Sequence, residues 1–342
     1  MAHGRWKRGA VGLGLVVAAA GAWGWANRAD LGARYAARQL TRAATDDERA
    51  AWAAKLIDHG DAARASVVGF VSTGSPEVRA AVVPAVEKQL TERPDGDGSA
   101  AALADALLDA FPGCDAGGQE SVVALLPALL KRIGPAGAAK CRVVTAAGLK
   151  LPSPAARLGA IRAAMHPLVK LRADVVPLLA AVEPEVRRAA LFAVGPATDD
   201  DQVIGDEELF RWLHDADADV RRGCQDALAS RGRTDTDIRL GRRLTNPDAA
   251  ERLDLLLDLR SDDDVADPEP WLERLARDAD PGVRAGAARV AAELAAERRQ
   301  ALPPWVPRLA EADPEPTVRR IAAYYCATLS RTDGAVRPAG GP

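Results

Sequence analysis

Apolar residues recur at helical spacing along most of this chain and stop at short polar turns. The clearest stretch runs from Asp174 to Gly195. Val175, Val176, Leu178, Leu179 and Val182 share one face, which predicts a helix over 173–182. Glu183-Pro184 ends that run, because proline lacks a backbone donor and crowds the preceding turn. Pro184 suits the first turn of the next helix, where its missing N–H has no intrahelical partner to lose. Glu185 places negative charge at that N-terminus. Val186, Ala189, Ala190 and Ala193 then form a narrow face of small residues, predicting a second helix over 184–194. Neither helix is long enough to be stable alone, so the pattern requires neighbours to stack against.

Read the same way, the chain predicts about nine helix pairs. They are 28–42 with 46–57, 61–72 with 76–91, 99–111 with 119–133, and 137–149 with 154–170. Then come 173–182 with 184–194, 206–214 with 218–230, and 235–244 with 247–259. The last are 269–278 with 281–296, and 304–311 with 316–330. Glycine and aspartate around Pro94–Gly98, together with Gly117-Gly118 and Gly134-Pro135, interrupt the pattern and leave the pairing within 94–150 open. A Gly- and Pro-rich stretch over 332–342 reads as a flexible tail.

The turn before each second helix repeats. It is Ser75-Pro76-Glu77-Val78-Arg79, Glu183-Pro184-Glu185-Val186-Arg187, and Asp217-Ala218-Asp219-Val220-Arg221. It is again Asp280-Pro281-Gly282-Val283-Arg284, and Asp313-Pro314-Glu315-Pro316-Thr317-Val318-Arg319. Ser153-Pro154-Ala155-Ala156-Arg157 is a variant, and Asn246-Pro247-Asp248 and Thr45–Arg49 are weaker copies. Val186 to Val220 spans 34 residues and Val283 to Val318 spans 35. The D/S-P-x-V-R turn, with a proline inside the preceding helix, whose place Pro177, Pro307, Pro127 and Pro84 take, resembles the HEAT repeat. It is closest to the short HEAT-like repeats of phycobilisome-lyase relatives. The resemblance implies an all-α, right-handed α-solenoid over 28–331. It also implies ladders between neighbouring repeats, with Asp280 and Asp313 as turn aspartates and Arg79, Arg187, Arg221, Arg284 and Arg319 as second-helix arginines.

Ahead of that array, Gly9 to Ala26 contains no charged residue and follows a basic flank, residues 1–8, with Arg5, Lys7 and Arg8. Eighteen such residues suffice to cross a bilayer, with Trp23 and Trp25 at the far interface. The alternative is a signal peptide cleaved near Ala22 or Ala26. As an anchor it makes a single-pass membrane protein, and the compact basic flank favours an extracytoplasmic solenoid, although Arg28, Arg34, Arg38 and Arg42 nearly balance it. The formal charge is −3, and with the flank removed the rest is more acidic. That gives no general drive toward nucleic acid.

Candidate chemistry is sparse. Cys114, Cys141, Cys224 and Cys326 lie far apart with no metal-ligand spacing, and read as small hydrophobes; Cys114 with Cys141 is the pairing left open. His3, His59, His166 and His214 form no HExxH or HxH pattern. Alternating Asp215, Asp217 and Asp219 has the look of a calcium loop. Val220 stands where that loop needs glycine, so helix capping explains the run better. Doublets Arg187-Arg188, Arg221-Arg222, Arg242-Arg243, Arg298-Arg299 and Arg319-Arg320 could grip phosphates if they shared a face. The expectation is a non-enzymatic scaffold that binds an unidentified protein or peptide, with no catalytic residue, metal or cofactor. A tetrapyrrole-handling lyase, by the resemblance alone, and a nucleic-acid binder are the alternatives.

Overall fold

A computed structural model describes residues 28–94, 96–196, 202–261 and 264–335. The expected membrane segment, 9–26, and residues 336–342 of the expected tail lie outside them. Among the described residues the regular structure is all helix, with no strand, and the helices pack in chain order. Two compact units divide at Ala193 and Val194.

Unit 1 contains α1 (Arg28–Arg42), α2 (Asp46–Asp58), α3 (Arg64–Thr73), α4 (Pro76–Glu92) and α5 (Gly98–Ala110). It continues with α6 (Ala116–Leu130), α7 (Ala138–Gly148), α8 (Pro154–Ala164), a 3₁₀ helix over Ala173–Ala180, and α9 (Pro184–Val194), whose last residue begins unit 2. The second helix of each pair packs on the second helix of the next: α2 on α4, α4 on α6, α6 on α8. The first helices α1, α3, α5 and α7 contact one another in the same succession and form a second layer. That resolves the pairing within 94–150 as α5 with α6 and α7 with α8. Val82, Val86, Leu90, Val122, Leu125, Leu126 and Leu129 are fully buried between the layers.

The helices start where capping chemistry allows. Thr45, Asp97, Asp115 and Ser153 each accept a first-turn amide from α2, α5, α6 and α8. Pro76, Pro154, Pro184 and Pro281 sit in first turns, where no intrahelical donor is lost.

Three expected helices come out differently. The 154–170 helix ends at Ala164, since His166 precedes Pro167 and is biased away from helical backbone. The chain then reverses through Lys170 at φ 53, and Leu171 N–H donates to the Ala164 carbonyl at 3.0 Å. The 173–182 helix is a 3₁₀ helix with Pro177 inside it, and it stops at Ala180. Val182 therefore falls beyond it, in the turn, and is exposed instead of sharing the apolar face of Val175 and Leu179. At the far end α17 continues through Ala335, so 332–335 extend the helix where a tail was expected.

Unit 2 contains α10 (Asp206–Arg211), α11 (Ala218–Ser230), α12 (Asp235–Leu244) and α13 (Ala249–Ser261). After these come α14 (Glu269–Leu275), α15 (Pro281–Arg298), α16 (Trp305–Ala312) and α17 (Pro316–Ala335). Here α13 packs on α15 and α15 on α17. Leu209, Phe210, Leu213, Val220, Leu228, Val283, Val306 and Val318 are buried in its core.

Two glycines in unit 1 make opposite predictions. Gly118, in the first turn of α6, lies so close to the Ser72 carbonyl that an added Cβ would overlap it. The same carbonyl accepts the Asp115 N–H at 3.1 Å, so it cannot retreat without losing a bond. Gly69 is exposed within α3 with nothing within 4 Å of a Cβ. Gly118→Ala should destabilise by about 1–3 kcal/mol through overpacking. Gly69→Ala should stabilise by about 0.5–1 kcal/mol through helix propensity. Chemical denaturation of the two variants checks both signs.

Candidate functional site

In several second helices the residue after a buried position is an arginine that reaches back to the turn it came from. Arg187 Nη1 donates to the carbonyls of Ala181 and Val182 at 3.0 and 2.8 Å. Arg221 does the same to Asp215 and Ala216 at 2.7 and 2.9 Å. Arg284 takes those of Asp278 and Ala279 at 2.9 and 3.1 Å, and Arg319 those of Asp313 and Pro314 at 2.5 and 3.2 Å. These carbonyls end the preceding helix or its turn and have no intrahelical donor. The buried neighbours Val186, Val220, Val283 and Val318 fix the helix rotation that aims each arginine there, and Val78 is buried in the same position before Arg79.

Four arginines also hold a carboxylate of the following turn with two bonds. Arg79 reaches both oxygens of Asp115 at 2.7 and 2.9 Å. Arg157 holds Glu183 at 2.9 Å, Arg252 holds Asp278 at 2.7 and 2.9 Å, and Arg284 holds Asp313 at 2.8 and 2.9 Å. One planar guanidinium therefore ties two successive turns together, a task lysine's point charge does not perform. Hydrogen bonding to Arg79 and to Arg284 holds the carboxyls of Asp115 and Asp313 below the usual carboxylate range.

The two turn aspartates differ in role. Asp313 is the partner of Arg284, but Asp280 is not a partner of the preceding repeat's arginine. It caps α15 by accepting the Val283 amide at 3.1 Å. The ladder carboxylate stands two residues earlier, at Asp278, and its Oδ1 accepts the Asp280 amide at 2.8 Å. Asp313 likewise accepts the Glu315 amide at 2.9 Å. Pro281 starts α15, whereas Pro314 lies in the turn and Pro316 starts α17. Arg252 was not picked out from the sequence, because Glu251 replaces the usual valine; its signal is an arginine six residues after the turn residue Asn246.

The same network accounts for the aspartate run. Asp215 Oδ1 accepts the Asp217 amide, and Asp217 Oδ1 accepts those of Asp219 and Val220, so these groups cap α11. Among the described residues no group of three or more His, Cys, Asp or Glu is placed to hold a metal. None of the four cysteines is joined in a disulfide. Burial pushes the thiols of Cys141 and Cys224 up to about 11 and about 12. In three arginine doublets the first member, Arg187, Arg221 or Arg319, is directed at turn carbonyls, leaving Arg188, Arg222 and Arg320 exposed.

The turns set α13, α15 and α17 side by side, and a recess of about 640 Å³ opens along them. Its floor is the row Gly282, Ala285 and Gly286 on α15. A Cβ on Gly286 would come within 2.5 Å of Leu256 Cδ1, so the glycine lets α13 approach and lowers the floor. The walls are Leu253 and Leu257 of α13 and Ile321 of α17. Leu253 and Leu257 remain 39% and 57% exposed along that wall. The rim carries Asp254, Glu315 and Arg289. Arg289 lies 3.8 Å from Glu293, which Arg260 also holds at 2.7 Å. Asp254 and Glu315 have no cation partner among the described residues. The recess can accept an apolar side chain and a neighbouring positive charge.

Removing Arg284 should leave the Asp313 carboxylate, 2% exposed, without its partner and cost about 3 kcal/mol. Because Asp313 is lowered in the folded state, its contribution is complete above its ordinary value near 4 and is lost as pH falls through the lowered value. Denaturant titrations of Arg284→Ala and Asp313→Asn should show the loss at pH 7. Asp313→Asn should also flatten the acid limb of the stability profile below pH 4.

Compared with protein-family models and with curated proteins, the chain matches none.

Proposed function

We propose that this chain is a non-enzymatic scaffold, a HEAT-like right-handed α-solenoid of about nine helix pairs, that binds a protein or peptide segment along its second-helix layer. The observation that carries the reading is the α13–α15–α17 recess, where glycine and alanine form a floor between exposed leucines. Stacked short units generate such grooves without any one unit being specialised. The in-order packing of the helices and the repeated arginine turn support the repeat architecture.

In this reading residues 9–26 anchor the chain in a membrane as a single-pass segment, with the helical array on the extracytoplasmic side. Among the described residues no helix is long and apolar enough to cross a bilayer, so the reading rests on the charge-free run alone. Protease accessibility in spheroplasts tests the side, since an extracytoplasmic array is cleaved without lysis.

A photocrosslinking residue at position 282, on the floor of the recess, should give a discrete protein adduct in intact cells. The same residue at position 143, on exposed Val143 of α7, should not. Leu257→Asp should abolish the adduct while leaving the unfolding free energy within about 0.5 kcal/mol, as for other exposed positions. Equal adducts at both positions, or an adduct indifferent to Leu257→Asp, would contradict the assignment.

A further inference from the structure

Helix α1 buries Ala33, Ala36 and Leu40 against its neighbours and turns a different kind of face outward. Leu31, Tyr35, Arg38 and Arg42 are spaced four, three and four residues apart, which lines them along one side of the helix. Arg34 lies beside them. All five are exposed, with Leu31 at 43% and Tyr35 at 58%. Arg34, Arg38 and Arg42 have no carboxylate partner among the described residues. The one acid of α1, Asp30, sits in the first turn, where the helix dipole accounts for it. The face is therefore cationic and apolar at once.

Aromatic groups extend it sideways onto α2. Tyr35 meets Trp52 edge to face with ring centroids 5.7 Å apart, and Lys55 Nζ stands 4.2 Å over the Trp52 ring. Aromatics make up only 4% of the chain, yet two of them converge on this first pair. Tyrosine and tryptophan beside exposed arginine and lysine suit the boundary between acyl chains and headgroups, where a polar tip and an apolar body are both satisfied.

Sequence position supplies the occupant. A single residue, Asn27, separates the charge-free run 9–26 from α1, so an anchored chain holds the start of this face within a few ångströms of the headgroups and the rest of it within about 20 Å. We propose that the outer face of α1, with Trp52 and Lys55 of α2, is a docking surface for an anionic lipid membrane, seating the first helix pair flat on the bilayer from which the chain emerges. The membrane anchor is the reading on which this proximity rests. The face then opposes phosphate headgroups with Arg34, Arg38 and Arg42, and inserts Leu31 and Tyr35 between them. Each arginine near an anionic surface strengthens binding by roughly fivefold, so three together confer on the order of a hundredfold.

The test uses the full chain carrying p-benzoylphenylalanine in place of Tyr35, reconstituted into vesicles of phosphatidylcholine alone or with about a third phosphatidylglycerol. Mass spectrometry of the α1 peptide after irradiation should show lipid adducts, at least about tenfold more abundant in the anionic vesicles. Arg34→Gln, Arg38→Gln and Arg42→Gln combined should remove that difference with helicity unchanged. A probe at position 143 should give no adduct. Alkaline extraction of the same vesicles tests the anchor separately. A chain that resists extraction but shows no anionic enrichment at position 35 overturns this proposal and leaves the anchor standing. A chain that is extracted, yet floats with anionic vesicles until the three arginines are replaced, overturns the anchor and keeps the docking surface. Retention of duplex DNA lost in the triple variant, without lipid adducts, would assign the face to nucleic acid and overturn the proposal.

Discussion

The constraint on which this structure depends is the orphan carbonyl. Every helix leaves its last carbonyls without intrahelical donors, and an array of short helices multiplies that debt at each turn. This chain answers with arginine. Arg187, Arg221, Arg252, Arg284 and Arg319 each place two N–H groups on their own turn. Arg132 does the same for the end of α4, donating to the carbonyls of Leu90, Thr91, Arg93 and Pro94. Arg231 donates to those of Gly195 and Ile204 while holding Asp206 at 2.8 Å. Where the guanidinium has an edge to spare, a carboxylate of the next turn occupies it, and local capping becomes coupling between neighbours.

That coupling explains why the recess can exist. Gly282, Ala285 and Gly286 give α15 little side-chain volume with which to hold α13 and α17 in place. Arg252 on Asp278 and Arg284 on Asp313 set those helices by their turns instead. The floor is then free to be small, and the leucines beside it stay partly uncovered. Burial of both partners is what makes these pairs differ from exposed ones such as Arg277 with Glu273, whose contribution solvent largely screens.

Much of the fold was legible in the chain. Periodicity located the helices because their apolar faces are local, and Pro76, Pro184 and Pro281 marked starts because proline acts on its own turn. The failures have physical causes too. Val182 matched the apolar period, but Pro177 shortened the helix and left it in the turn. Asp280 and Asp313 look alike beside proline, yet one caps and the other bridges, since Pro316 rather than Pro314 begins α17. The recess was not legible at all. It arises where the small residues of one helix meet the leucines of another across about thirty residues of chain, a juxtaposition that only the packing creates.

Amide hydrogen exchange on the Asp313→Asn chain tests the central claim, that arginine-bridged turns hold the second helices in register. Exchange should rise in α15 and the first turns of α17, with α2, α4 and α6 unchanged, because the lost bridge is local to one pair of turns. Unchanged protection in α15 and α17, or a uniform rise across the chain, would contradict the account.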